Sequence, residues 1–298
     1  MSQEINLNVA PYFDDFNASD DYYSVLFKPG YPVQARELNN LQSILQNQIE
    51  TFGQHFFKEG AKIVPGNTYY NKEYVGVQLE LSFLGIPISN YLGQLTGAKI
   101  TGLTSGVTAT VNKCILGKDS ESGNPTLYVT YLGSDSTNNL QGIFADNELL
   151  TSSIDIISGG TTIASGEPFG STLVSGANIT GSAFSIKSGI YFAKGRFVEV
   201  RDENILLDPF GNTPNYRIGL FINESIINAD MNPALNDNSR GFNNFSAPGA
   251  DRLRISTSLI KKNLDDFDDN NFVQLATVEN GVLKNQTTTT EYNILQDE

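Results

Sequence analysis

The side chains that most often carry chemistry are scarce in this chain. It has one histidine and one cysteine in 298 residues. A Ser-His-Asp or Cys-His arrangement would therefore have to use His55 as its base. His55 is followed by Phe56 and Phe57 at a helical position that continues an apolar row, where a packed or interfacial ring is expected rather than a catalyst. Cys114 lies in the alternating run VTATVNKCIL, so it is expected as a buried strand residue. A lone cysteine excludes an internal disulfide framework and a cysteine-based zinc site. No GxGxxG or P-loop lysine motif is present, which leaves nucleotide chemistry without support. Glycoside hydrolysis needs two carboxylates in different environments; 33 acids offer many pairs, but tryptophan, a common sugar platform, is absent. Asp266, Asp268 and Asn270 have the alternate spacing of a calcium loop's first ligands. Asn271 stands where that loop needs glycine and Thr277 where it needs glutamate, so a solvated acidic turn is expected. No catalytic, cofactor-binding or metal-ligating residue is assigned, and no cofactor is expected. Arg252 and Arg254 alternate with Leu253 and Ile255, which puts both guanidiniums on one strand face as a candidate interface. Their expected partners are acids of the loop before them or of a neighbouring molecule.

The segment that could present such an interface is KPGYPVQARELNNLQSILQNQIETFGQHFFKEG, residues 28–60. Leu38, Leu45 and Phe52 recur every seven residues, and Leu41, Gln48 and His55 form the second row of the same heptad. Ile44, Ile49 and Phe56 widen the face. With Pro32 near its start and Gly60 at its end, the spacing predicts a helix from about Val33 to Lys58. A polar residue such as Gln48 on a heptad seam sets register and copy number between helices. Two placements stay open on these residues alone: a helix packed on its own domain, or a seam shared with other copies. Residues 1–27 read as an irregular arm rich in aromatics, including Tyr12, Phe13, Tyr22, Tyr23 and Phe27. Such a density of rings needs a surface to pack on, either the chain's own core or a neighbouring subunit.

The rest of the chain reads mainly as strands and turns. Ala61–Val64 and Tyr74–Leu84 are expected strands, and residues 61–91 with 170–290 are expected to form a main β domain. Residues 92–155, with Val107, Ala109 and Val111 on one face and the strong run Thr126–Leu132, are expected as an inserted small barrel-like module. Residues 153–182 read as a weak strand-turn array or a linker, with 156–169 taken as the linker. A hairpin is expected over Gly189–Val200 with its turn at Lys194-Gly195, and Ile205–Leu207 and Tyr216–Ile222 are expected to continue the meander. The polar stretch 229–252 is too long for a casual connection. Residues 291–298 read as the start of a connection to a further C-terminal region. The fold class is thus mainly β: an arm and one long helix, then sandwich- or barrel-like domains.

Charged residues are 17% of the chain and the net charge is −14. An acidic chain lacks the basic face that neutralises phosphates, so nucleic acid is not an expected partner. No stretch reaches the ~20 apolar residues of a membrane span. The segment MSQEINLNVA has neither a basic region nor an apolar core, so it is not expected to act as a signal peptide.

At YYSVLFKPGYPVQARELNNLQSILQNQIETFGQHFFKEGAKIVPG the chain resembles the N-terminal region of tail structural proteins of contractile-tailed, T-even-like and cyanophage-type bacteriophages. The likeness returns at GSAFSIKSGIYFAKGRFVEV and NPALNDNSRGFNNFSAPGADRLRIS. GAKITGLTSGVTATVNK, with LYVTYLG and IFADNELL, resembles a glycine-rich β module of phage virion proteins. The resemblance implies a non-enzymatic baseplate or fibre-attachment component, located in the virion and assembled in the host cytoplasm. It also implies a homotrimer bound to other baseplate or tail fibre proteins, with a longer parent protein. It tips the helix toward a seam made of Leu38, Leu41, Leu45, Gln48, Phe52 and His55. A glycan-binding receptor protein and a tail-associated cell-wall hydrolase are the alternatives.

Overall fold

The computed structural model describes residues 5–117, 123–134 and 142–286. The expected connection at 291–298 lies outside them. The chain adopts the expected mainly-β fold. One long helix, α1 (Ala35–Phe56), precedes the sheets and is shorter by two residues at each end than its apolar period predicts.

After α1 come β1 (Lys62–Val64) and β2 (Thr68–Gln78), the latter starting earlier than the alternation at Tyr74 signalled. Thr68, Tyr69 and Tyr70 are strand formers, and they pair with Ile186, Ser185 and Phe184 of β12 (Asn178–Ile186). A small hairpin, β3 (Ser82–Phe83) with β4 (Ile86–Pro87), comes next. Beyond it are β5 (Lys99–Gly102), β6 (Val107–Ile115), β7 (Thr126–Ser134) and β8 (Leu149–Ser152). With β11 (Pro168–Ser171) and β15 (Glu203–Asp208), these form one eight-stranded sheet in the order β11-β8-β5-β6-β7-β2-β12-β15. Leu79 bridges to Thr172, and the Glu80 N–H donates to Ser171 O (3.0 Å), so the sheet curls back on β2 and closes a barrel. Val77, Leu79, Ile100, Val107, Ala109, Val111, Leu127 and Phe144 fill its core. The inserted module is therefore not free-standing; it shares β2 with the main domain.

Residues 156–169 are not a linker. They hold a hairpin, β9 (Ile156–Ser158) with β10 (Thr161–Ile163), and lead into β11. Ile156 and Phe169 are fully buried in the barrel core. The turn signal was Gly159-Gly160, both at positive φ (56° and 87°), the pair that a tight type I′ hairpin favours.

The remaining strands build a second core. β13 (Gly189–Ala193) and β14 (Arg196–Val200) form the expected hairpin and join β1 in a three-stranded sheet, β1-β13-β14. β16 (Tyr216–Ile227), β17 (Arg252–Asn263), β18 (Phe272–Glu279) and β19 (Val282–Gln286) form a sheet in the order β17-β16-β18-β19. Ile205–Leu207 and Tyr216–Ile222 do not continue one meander: β15 pairs with β12, whereas β16 pairs with β17 and β18. The turn between them carries the chain across the core lined by Phe184, Tyr191, Val198, Leu207, Leu220, Ile222 and Leu275.

Candidate assembly interface

The helix begins where the Glu37 carboxylate accepts the Gln34 N–H (2.9 Å). The arm braces this end. Arg36 pairs with Asp15 (3.0 Å), Asn40 donates to Asp14 and Asp15, and Ser43 donates to Asp14 (2.5 Å). Farther along, the face turned to the β domain holds one apolar residue beside a polar and a small one. Ile44, Glu50 and Gly53 are its buried residues. A Cβ at Gly53 would stand 2.3 Å from Phe192 Cε2, so only glycine lets the helix approach β13 this closely. Glu50 fits over Gly195 of the β13–β14 turn, and Gln46 donates to the Gly195 carbonyl (3.4 Å). Below the helix end, Phe57, Phe192 and Phe197 form a ring cluster with centroids 5.4–5.9 Å apart.

Contact through the polar side leaves the heptad rows facing solvent. Leu38, Leu41, Leu45 and Phe52 are 39–58% exposed, and Gln48 and His55 are exposed beside them. Ile49 and Phe56 extend the same surface. Phe52 and Phe56 touch at 4.7 Å between centroids, and His55 meets Phe56 edge-on at 5.5 Å. The structure thus brings all six sequence-predicted seam residues onto one open helical face. Ile44 departs from the expected face and is buried against the chain's own domain.

Arg252 and Arg254 do not pair with carboxylates of the preceding loop. Arg252 donates to the carbonyls of Ala250 (2.7 Å) and Asp251 (3.2 Å), and among the described residues the Arg254 side chain makes no hydrogen bond or ion pair, its backbone pairing with Ser225 of β16. The Asp251 carboxylate is taken by the Tyr12 hydroxyl (2.5 Å), which ties the arm to the start of β17 and pushes the phenol's pKa up. Between α1, β14 and β17 lies a cleft of about 850 Å³. Gln42 and Ile49 of the helix, Phe197 and Leu253 of the two strands, and Arg252 line it. Beside it is the largely buried pair Arg196–Glu224 (2.6 Å), with Glu224 also accepting the Ile5 N–H (3.2 Å). Sequence reading missed this pair because its members belong to strands of different sheets.

The side chains with chemical potential have structural surroundings. Burial pushes the Cys114 thiol pKa up, against a lowering contact with Thr96, so the thiolate is disfavoured. Arg217 clamps the 264–271 turn: it bonds both oxygens of Asp269 and the Asp266 carbonyl and lies over Phe267 and Phe272. Glu148, also missed, is fully buried in the barrel and accepts from Thr104 N, Ser105 N, Ser105 Oγ and Ala145 N at 2.6–3.2 Å. Among the described residues, no three His, Cys, Asp or Glu side chains converge as metal ligands, and no helix is long and apolar enough to cross a membrane.

Compared with known proteins, the chain matches the model of one family, described as "Domain of unknown function (DUF4815)", over residues 10–84 and 137–298. The unmatched span 85–136 carries β4–β7, three of them barrel strands, and overlaps the module expected at 92–155. No curated protein and no solved structure matches. The matched residues include α1, the arm from Ala10 onward and all of the second core, so the chain belongs to the DUF4815 family.

Proposed function

We propose that this chain is a structural, non-enzymatic component of a bacteriophage tail, joining the baseplate to fibres or host-contact parts as a homotrimer. The observation that carries the assembly reading is the orientation of α1. Its heptad rows face solvent, while only Ile44, Glu50 and Gly53 are buried against the chain's own domain. A helix stabilised only by its own domain places its apolar stripe inward. Here the stripe faces outward with seven-residue spacing, which is the geometry of a seam between helices. Gln48 supplies a polar layer between Leu45 and Phe52, the kind of residue that fixes copy number. The tail setting rests on the sequence resemblance, and the partners are other baseplate or tail fibre proteins. Imaging of an intact tail carrying a tag on this chain tests the reading. Label grouped in threes around an axis at the baseplate is expected; a tail without label would refute it.

A further inference from the structure

Two sheets end on the cleft beside α1 with free edges. β14 is the edge of the β1-β13-β14 sheet, and β17 is the edge of the β17-β16-β18-β19 sheet. Their backbone polarity can be read from three contacts. The Leu259 N–H donates to Glu203 Oε2, away from β16, and the β16–β17 register is unbroken from Arg252 to Asn263. Backbone direction repeats every two residues, so the amides and carbonyls of Leu253 and Ile255 also turn away from β16, toward the cleft. The Glu199 carbonyl accepts from Thr257 Oγ1 (3.2 Å), so Glu199 and Phe197 turn away from β13 toward the same space. The strands meet at Glu199 and Thr257, and the cleft lies where Arg196–Glu199 and Arg252–Ile255 flank it. It is a slot between two unpaired strand edges, the setting for strand addition.

The same chain carries a segment of matching chemistry. In Asp21-Tyr22-Tyr23-Ser24-Val25-Leu26-Phe27, the backbone of residues 22–27 makes no hydrogen bond among the described residues. Tyr22, Tyr23 and Leu26 are 68–81% exposed. The segment is rich in strand-forming residues. It belongs to a loop held at both ends by the start of α1: Asp15 is fixed by Arg36, and the helix begins at Ala35. Half of that loop reaches about 30 Å when extended, whereas packed helices sit only about 8–10 Å apart. Asp20 precedes the segment and Asp21 opens it, and exposed Arg252 stands at the cleft with its guanidinium on two carbonyls. The chain's own Leu7, Tyr12 and Asp14 already form part of the cleft wall, and the 17–34 loop stands outside it.

We propose that Asp21–Phe27 of one copy enters the cleft of a neighbouring copy and adds a strand between β14 and β17, with its acids on Arg252. The arms would then exchange around the trimer. This rests on the self-association proposed above. The test uses the full chain with Cys114→Ala, Val25→Cys and Leu253→Cys, oxidised at native pH. Covalent three-chain species are expected, and a mixture of the two single-cysteine chains should give disulfide-linked pairs. A trimer by native mass whose disulfides form only within a chain, or not at all, would overturn arm exchange and leave the seam standing. A monomer by native mass would overturn both. Hydrogen exchange of the wild-type chain guards against a misfolded variant. Leu253 and Ile255 amides should be protected in the assembled protein and lose that protection in Ser24→Pro, which cannot donate at that position. Fast exchange at both amides in the assembled wild type would overturn the proposal.

Discussion

Leu45→Asp is the substitution that separates a seam from a core. Leu45 is 54% exposed, so a large part of its side chain is already in water in the single chain. Full burial of a leucine contributes roughly 1.5–3 kcal/mol, so the part still open stands to gain about 1 kcal/mol per chain on assembly, or about 3 kcal/mol over three chains. Aspartate removes that gain. It also places three carboxylates around one axis, each facing a desolvation penalty of several kcal/mol with no partner on the seam. The combined loss is on the order of 10 kcal/mol or more per trimer. At 1.4 kcal/mol per tenfold, that moves dissociation by about seven decades or more. Sedimentation velocity at micromolar protein should show only monomer, while far-UV circular dichroism and the melting of the monomer stay near wild type, because the site is a surface position in the isolated chain. Leu45→Ala loses only the transfer contribution and should weaken the trimer about a hundredfold. A Leu45→Asp protein that sediments like wild type would refute the seam. One that is unfolded by circular dichroism would show that Leu45 belongs to the chain's own core.

Three further outcomes rest on the same contacts. Gln48→Leu should raise thermal stability but loosen copy number, giving mixed masses in native mass spectrometry. Gly53→Ala drives a methyl into the Phe192 ring and should destabilise the helix–sheet contact by about 1–3 kcal/mol, read as a lower urea midpoint and faster amide exchange in α1. Glu148→Ala leaves four donors without their acceptor, the two of Ser105 buried, and should cost about 3–5 kcal/mol in chemical denaturation.

The helix, the fold class and the shared face of the heptad rows were legible because each rests on a period. Leu38, Leu45 and Phe52 repeat every seven residues whatever they pack against. Which side faces inward was not legible: it depends on Gly53 meeting Phe192 and Glu50 meeting Gly195, contacts between residues 139 and 145 positions apart in the chain. The hairpin Lys194-Gly195 could be read from its turn. Gly159-Gly160 carried the same signal, but short strands of serine, threonine and isoleucine masked it. The barrel's closure through Leu79 and Thr172 joins residues on either side of the module, so no local pattern announces it. Arg252 and Arg254 were found by alternation, yet the Tyr12 hydroxyl that takes Asp251 comes from the arm, 239 residues earlier.

The mass of the wild-type chain in solution bears most directly on the open face of α1. At micromolar concentration, three times the 32.5 kDa chain mass is expected, unchanged in high salt because the seam is mainly apolar and holds no carboxylate, lysine or arginine. A single-chain mass under those conditions would contradict it.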